Sequence, residues 1–266
     1  METALSNGLA GARPPGNVIL DVDGCLTIDG QAIPGAGEAV GAVLMSGARM
    51  TIATNNSTRT AEALASELGA LLGVDISPTA VVTSAVAAVG LLSRADDPVL
   101  VVGEEGVRSA IAAAGFAETV DPEAARSVVV GLDRSFDYDV LSAANRAVRR
   151  GARLVACNDD ATLPTGGGPV PGSGSLLAAV ERASGATATV AGKPYRAMVE
   201  AVSARLGPGP TWVVGDRGET DVAFARAAGW KAVLVLTGVT RHPDDLRPEH
   251  RPDMVIPSIA DLPALL

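Results

Sequence analysis

Histidine is almost missing from this chain. Its only examples, His242 and His250, fall in a Pro- and Arg-rich stretch near the C-terminus, which argues against a Ser-His-Asp triad or a His-rich zinc site. Chemistry is left to carboxylates, hydroxyls and amides. Cysteine is equally scarce: Cys25 and Cys157 build no disulfide framework and fit a reducing, cytoplasmic setting. No run of about 18 apolar residues free of charge occurs, so no membrane span is expected. Residues 1–16 lack the basic start and continuous apolar stretch of a signal peptide and are expected to form a flexible leader. With a net charge of -9, neither nucleic acid nor an anionic membrane is an expected partner. Lysine is the last scarcity. Arginine supplies nearly all of the 21 basic residues, and the lysines are Lys193 and Lys231 alone. A compact ammonium placed between Gly192 and Pro194 invites a specific role that a planar guanidinium would not fill.

What is present is a chain able to bury a core: 47% hydrophobic against 19% charged residues, over 266 positions. That length suits one large domain or two modest ones. Val18-Ile19-Leu20 is the apolar run of a buried parallel strand, and Asp21, Asp23 and Gly24 follow it directly. Unpaired carboxylates are costly inside a dry core, so these acids belong where the strand ends, the edge at which open α/β sheets bind ligands. Asp-Gly is also ordinary turn chemistry. Further along, 36–46 reads as a helix, 49–54 as a strand running into Asn55-Asn56-Ser57, and 60–72 as a helix. After 81–93 a second alternating set follows, with strands over 99–102, 127–130 and 153–156 and helices over 107–114, 138–150 and 175–183. Strands are expected again over 211–215, 232–236 and 254–256, with helices over 197–206 and 222–228.

Strand–helix alternation of this kind predicts an α/β fold, a doubly wound, Rossmann-like parallel sheet. Its core would span 17–96 and 189–266, with a smaller α/β domain inserted over 97–188. The long irregular segment from Asn158 to Gly174 is expected to be functional. Gly35-Ala-Gly37 and Gly172-Ser-Gly174 begin like dinucleotide fingerprints, but neither has the third glycine or follows a clear strand.

If the core strands share an edge, it gathers Asp21, Asp23, Thr54, Asn55, Lys193, Asp216 and Asp221. Acids alone would repel each other. A hard divalent cation resolves this, and all-oxygen ligation selects magnesium. Asp21 would attack phosphorus to form an aspartyl-phosphate, and Asp23 would protonate the leaving alcohol and then activate water. Asp21, Asp216 and a carbonyl of Asp23 would hold the metal, while Thr54, the amides around Asn55, and Lys193 would cradle phosphoryl oxygens. Thr54-Asn55-Asn56 and Thr220-Asp221 also read as helix caps, and Lys193 as a solvated surface residue. Their joint occurrence in this order favours the chemistry.

Taken together, Asp21-Val-Asp23-Gly24, Thr54-Asn55-Asn56-Ser57, Gly192-Lys193-Pro194, and Gly215-Asp216-Arg217 with Thr220-Asp221 resemble the motifs of the haloacid dehalogenase-like phosphatases. The branch they look closest to holds NagD and the p-nitrophenyl, phosphoglycolate and glycerol-3-phosphate phosphatases. The resemblance implies a magnesium-dependent phosphatase acting on a small phosphorylated metabolite, with a polyol phosphate such as glycerol 3-phosphate, or 2-phosphoglycolate, as the kind of substrate. It makes Asp21 the nucleophile, Asp23 the acid/base, Asp216 a metal ligand with Asp221 near the metal, and Lys193 and Thr54 phosphate-holding. It also makes the inserted domain a cap, whose Asn158, Asp160 and Thr162 are candidates for substrate contacts; the same residue types also build turns. A homodimer is left open. Cys25 departs from the Thr or Val usual in the superfamily and reads as a small buried hydrophobe. Rival readings are a phosphotransferase or mutase on the same fold, or a non-catalytic phosphate-binding regulatory protein.

Overall fold

The computed structural model describes residues 14–163 and 167–266. Residues 1–13 of the expected leader, and 164–166 of the expected loop, lie outside the described residues. Packing divides the chain into two units, one of Met1–Thr54, Leu64–Val82 and Val202–Leu266, the other of Asn55–Ala63 and Thr83–Ala201.

The first unit is built on a six-stranded sheet. Its order is Met254–Ile256, Lys231–Val235, Thr211–Gly215, Asn17–Leu20, Arg49–Thr54, Val81–Thr83. The strand from Asn17 thus lies at the middle, with the next strands of the chain on one side and the C-terminal strands on the other. Its pairing with both neighbours is parallel, and Leu20 lies level with Val214 and Ile52. Val18, Ile19 and Leu20 are at most 1% exposed, as expected of a strand covered on both faces. Asn17, polar yet buried, is satisfied: its Nδ2 donates to the Gly207 carbonyl at 3.0 Å and Thr211 Oγ1 at 3.2 Å, and its Oδ1 accepts from the Gly207 N–H at 2.7 Å. The helix Ala36–Met45 buries Ala36, Ala39, Val40 and Val43, the spacing of one helical face.

The second unit carries a five-stranded sheet in the order Thr189–Val190, Arg153–Ala156, Ser127–Val130, Val99–Val102, Glu118–Thr119, with every pairing parallel. Val102, Val128 and Val130 pack with Leu154, Leu177 and Val180 in one cluster, against the helices Tyr138–Arg149 and Ser173–Ser184. Asp137 caps the first of these, its Oδ1 accepting the N–H groups of Asp139 and Val140 at 2.9 Å. Strands Glu118–Thr119 and Thr189–Val190 carry no alternation long enough to be read from sequence. Within the irregular segment, Thr162–Leu163 pairs antiparallel with Val170–Pro171. Among the described residues no helix is long and apolar enough to cross a membrane.

Candidate active site

In the first unit the acids stand at the carboxyl ends of adjacent strands. The chain leaves the Asn17–Leu20 strand through Asp21, whose N–H still donates to the Val214 carbonyl at 2.9 Å, and leaves the neighbouring Thr211–Gly215 strand through Asp216. These two strands flank the point where the sheet order reverses, the place at which such sheets open a crevice. Beyond Asp21 the chain turns sharply: the Val22 carbonyl accepts N–H groups of Cys25, Leu26 and Thr27 at 3.3, 2.9 and 2.9 Å, and Gly24 takes a φ of 87°. Asp23 is exposed on this turn. Cys25 is fully buried with its Sγ 3.6 Å from the Val214 carbonyl, consistent with a small packing residue. Thr54, the last residue of the strand on the other side, is 1% exposed.

Asp221 comes from a turn wound wider than an α-helix. Over Gly218–Val222 the Arg217 carbonyl accepts both the Asp221 N–H at 2.9 Å and the Val222 N–H at 3.3 Å. The Asp221 carboxylate caps this turn, its Oδ2 accepting from the Arg217 N–H at 3.1 Å and Thr220 Oγ1 at 3.4 Å, and it also joins the other acids. One carboxylate oxygen from each of Asp21, Asp216 and Asp221 lies within 4.8 Å of the others, and the residues are 8%, 3% and 2% exposed. Like charges this close and this buried repel one another. A hard cation reverses the sign of that interaction, and an all-carboxylate set of oxygen ligands fits magnesium.

A further segment, 237–240, wraps Asp216 and is not singled out by its sequence. Thr237 Oγ1 donates to the Gly24 carbonyl at 2.6 Å, the Val239 N–H to Asp216 Oδ2 at 2.5 Å, and the Thr240 N–H to the Asp216 carbonyl at 3.1 Å. Between them, Gly238 presses so close that a Cβ there would occupy the space of the Asp216 carboxylate. The one signal is a glycine just beyond a strand, which usually means only a turn. Gly238→Ala is therefore expected to push Asp216 aside and weaken magnesium binding by about tenfold or more, read by titrating the metal against activity.

The second unit holds Asn55 and Lys193. The two lysines differ sharply. Lys231 is half exposed and pairs with Asp253 at 2.7 Å, whereas Lys193 is only 3% exposed, so it is not a solvated surface residue. Asn55 grips the Lys193 backbone: its Oδ1 accepts the Lys193 N–H at 2.7 Å and its Nδ2 donates to the Lys193 carbonyl at 3.1 Å. The same Nδ2 donates to Asp160 Oδ2 at 3.0 Å. Asn158 is buried and braces this group, its Nδ2 donating to the Asn55 carbonyl at 2.6 Å and its Oδ1 accepting the Asp160 N–H at 3.1 Å. Tyr195 donates its hydroxyl to Asp159 Oδ2 at 2.5 Å, and that bond, with burial and the neighbouring carboxylates, pushes the phenol up to about 12. The structure therefore brings Asn55, Asn158, Asp160 and Lys193 together in this unit, and Asp21, Asp216 and Asp221 in the other. Thr162 stands apart from these bonds, exposed at the start of its short antiparallel pair.

Residues 18–117 match the family model for haloacid dehalogenase-like hydrolases, and residues 190–262 match a second model described as HAD-hydrolase-like. Dihydroxyacetone phosphatase of Corynebacterium glutamicum (strain R) is 34% identical over 92% of this chain and 89% of its own length. Ribonucleotide monophosphatase NagD of Escherichia coli (strain K12) is 34% identical over 92% of this chain and 97% of its own. Among solved structures, glycerol phosphate phosphatase from Mycobacterium tuberculosis in complex with magnesium superposes with a TM-score of 0.83 at 34% identity, covering 93% of this chain and 76% of that one.

Proposed function

The chain belongs to the haloacid dehalogenase-like hydrolases, and from that membership we propose that it is a magnesium-dependent phosphatase of small phosphate monoesters. The observation that carries this reading is the buried group of Asp21, Asp216 and Asp221 at the reversal point of the sheet. Relatives named for triose, polyol and nucleotide phosphates support a small phosphorylated metabolite as substrate, and a polyol phosphate such as glycerol 3-phosphate, or 2-phosphoglycolate, heads the set to be screened.

Asp21, Asp216 and Asp221, with a carbonyl of Asp23, would hold the magnesium, which when bound neutralises phosphoryl oxygens. Asp21 acts as nucleophile: its carboxylate bonds to phosphorus as the bond to the leaving oxygen breaks. Asp23, exposed on the turn two residues later, gives its proton to the departing alkoxide. It then takes a proton from water as that water attacks phosphorus, releasing phosphate and restoring Asp21. Thr54, the amides around Asn55, and Lys193 are assigned the remaining phosphoryl oxygens, and the second unit the recognition of the leaving group, the task for which the family resemblance offers Asn158, Asp160 and Thr162. Both cysteines are buried, and burial pushes the Cys157 thiol up to about 12; the cytoplasmic setting is proposed from the scarcity of cysteine.

The experiment is release of inorganic phosphate from p-nitrophenyl phosphate with and without magnesium; no turnover in its presence, on that ester or on a panel of metabolite phosphates, sinks the proposal. Lys193→Arg keeps the charge but replaces a compact ammonium with a planar fork. It is expected to lower kcat/KM on p-nitrophenyl phosphate on the order of tenfold, and wild-type kinetics would refute the compact-cation role.

A further inference from the structure

We propose that Asn55 and Asp160 are positioning residues for Lys193, with Asp160 acting through the Asn55 amide. The inference rests on the phosphatase reading, because it gives both residues a task within that site. It also differs from the substrate contact that the family resemblance implies for Asp160.

Asn55 uses both ends of its amide on one residue. Its Oδ1 takes the Lys193 N–H and one Nδ2 hydrogen goes to the Lys193 carbonyl. A single hydrogen bond leaves rotation about its own axis; this two-point grip removes it and sets the direction in which the lysine backbone faces. The second Nδ2 hydrogen goes to Asp160 Oδ2, so the donors of the amide are fully committed. Asp160 thereby reinforces the amide orientation that the Lys193 backbone favours. With oxygen and nitrogen exchanged, the Asn55 carbonyl would face both the Lys193 carbonyl and the Asp160 carboxylate while its NH2 met the Lys193 N–H, three repulsive contacts in place of attractive ones.

The group is held from outside as well. Ser84 Oγ and Asn158 Nδ2 each donate to the Asn55 carbonyl at 2.6 Å, and Asn158 Oδ1 in turn accepts the Asp160 N–H. Gly192 has no room for a side chain, because a Cβ there would meet Asn55 Oδ1 and the Cys157 carbonyl. The neighbouring pair, Asp159 and Tyr195, ties the same two loops a second time. A residue that sets Lys193 acts on the phosphoryl group, which every ester shares. A residue that touches the leaving group acts on one ester and not another.

The test begins with wild-type enzyme on p-nitrophenyl phosphate, glycerol 3-phosphate and a nucleoside monophosphate; absence of turnover on all of them would undo the phosphatase reading itself. With turnover established, Asp160→Ala is expected to lower kcat/KM by about tenfold to a hundredfold, by one common factor on all the esters, and to weaken inhibition by inorganic phosphate similarly. Asp160→Asn keeps an oxygen that accepts from Asn55 and should recover most of the loss. In a Lys193→Ala background the residual activity should fall less than about twofold further on adding Asp160→Ala, since coupled residues are not additive. A reordered preference among esters with p-nitrophenyl phosphate unaffected, or the full loss repeated in the Lys193→Ala background, would overturn the inference. If Asp160→Ala does not fold, Asn55→Asp carries the same test: it loses both donors and faces Asp160 with a like charge. Its uniform loss should then be relieved by adding Asp160→Asn, and absence of relief would count against the coupling.

Discussion

Asp21→Asn is expected to end turnover on p-nitrophenyl phosphate, with kcat/KM falling roughly 10⁴-fold or more, the scale on which loss of a nucleophile is felt. Asparagine matches aspartate in shape, so the packing around a residue that is 8% exposed survives. What it lacks is the anionic oxygen that bonds to phosphorus in the proposed mechanism. Stability gives a second readout with the opposite sign. Asp21, Asp216 and Asp221 are buried within 4.8 Å of one another, so without metal the substitution removes a like charge and should leave the melting temperature unchanged or raised. An inactive variant that melts lower would signal damage to the fold rather than a missing nucleophile, and intact turnover would place the nucleophile elsewhere.

Much of this arrangement is legible in the amino-acid order alone. The strands Arg49–Thr54, Val99–Val102, Ser127–Val130, Arg153–Ala156, Thr211–Gly215 and Met254–Ile256 stand at the residues expected, because each is a short run dominated by apolar side chains and bounded by turn or charged residues. Asp21 and Asp216 are legible for the reason that makes them useful: an acid straight after such a run has to lie at the sheet edge. The helix after Asp216 is expected from Val222, whereas the chain first makes the wide turn Gly218–Val222 and becomes α-helical at Ala223. Nothing in Gly-Glu-Thr-Asp-Val announces that, since one extra residue in a turn leaves the hydrophobic period almost untouched. The part played by Asn55 is hidden differently. Thr-Asn-Asn serves equally as a helix cap or as a set of donors, and only the bonds to Lys193 and Asp160 separate those uses. Gly238 is silent because what matters there is the space it leaves for Asp216.

Stripping the metal is the other change expected to act at full strength. Chelation should abolish turnover and added magnesium restore it, while Asp216→Asn should need at least tenfold more magnesium and stay far below wild-type rates. The physical ground is the burial of three acids against one another: folding must bring their charges together, and a bound cation turns that repulsion into attraction. Binding to the folded chain alone therefore stabilises it, by about 2.7 kcal/mol at a hundredfold excess over Kd, which for a chain of this size is a rise in melting temperature of about 5 °C or more. Asp216→Asn should flatten that rise, because a neutral amide in place of one carboxylate weakens the hold on the ion. The same substitution should raise the melting temperature of the metal-free protein or leave it unchanged, as removal of one of three like charges predicts. A melting temperature indifferent to magnesium in the wild-type chain, with activity equally indifferent to chelation, would show that these three acids do not hold a catalytic cation.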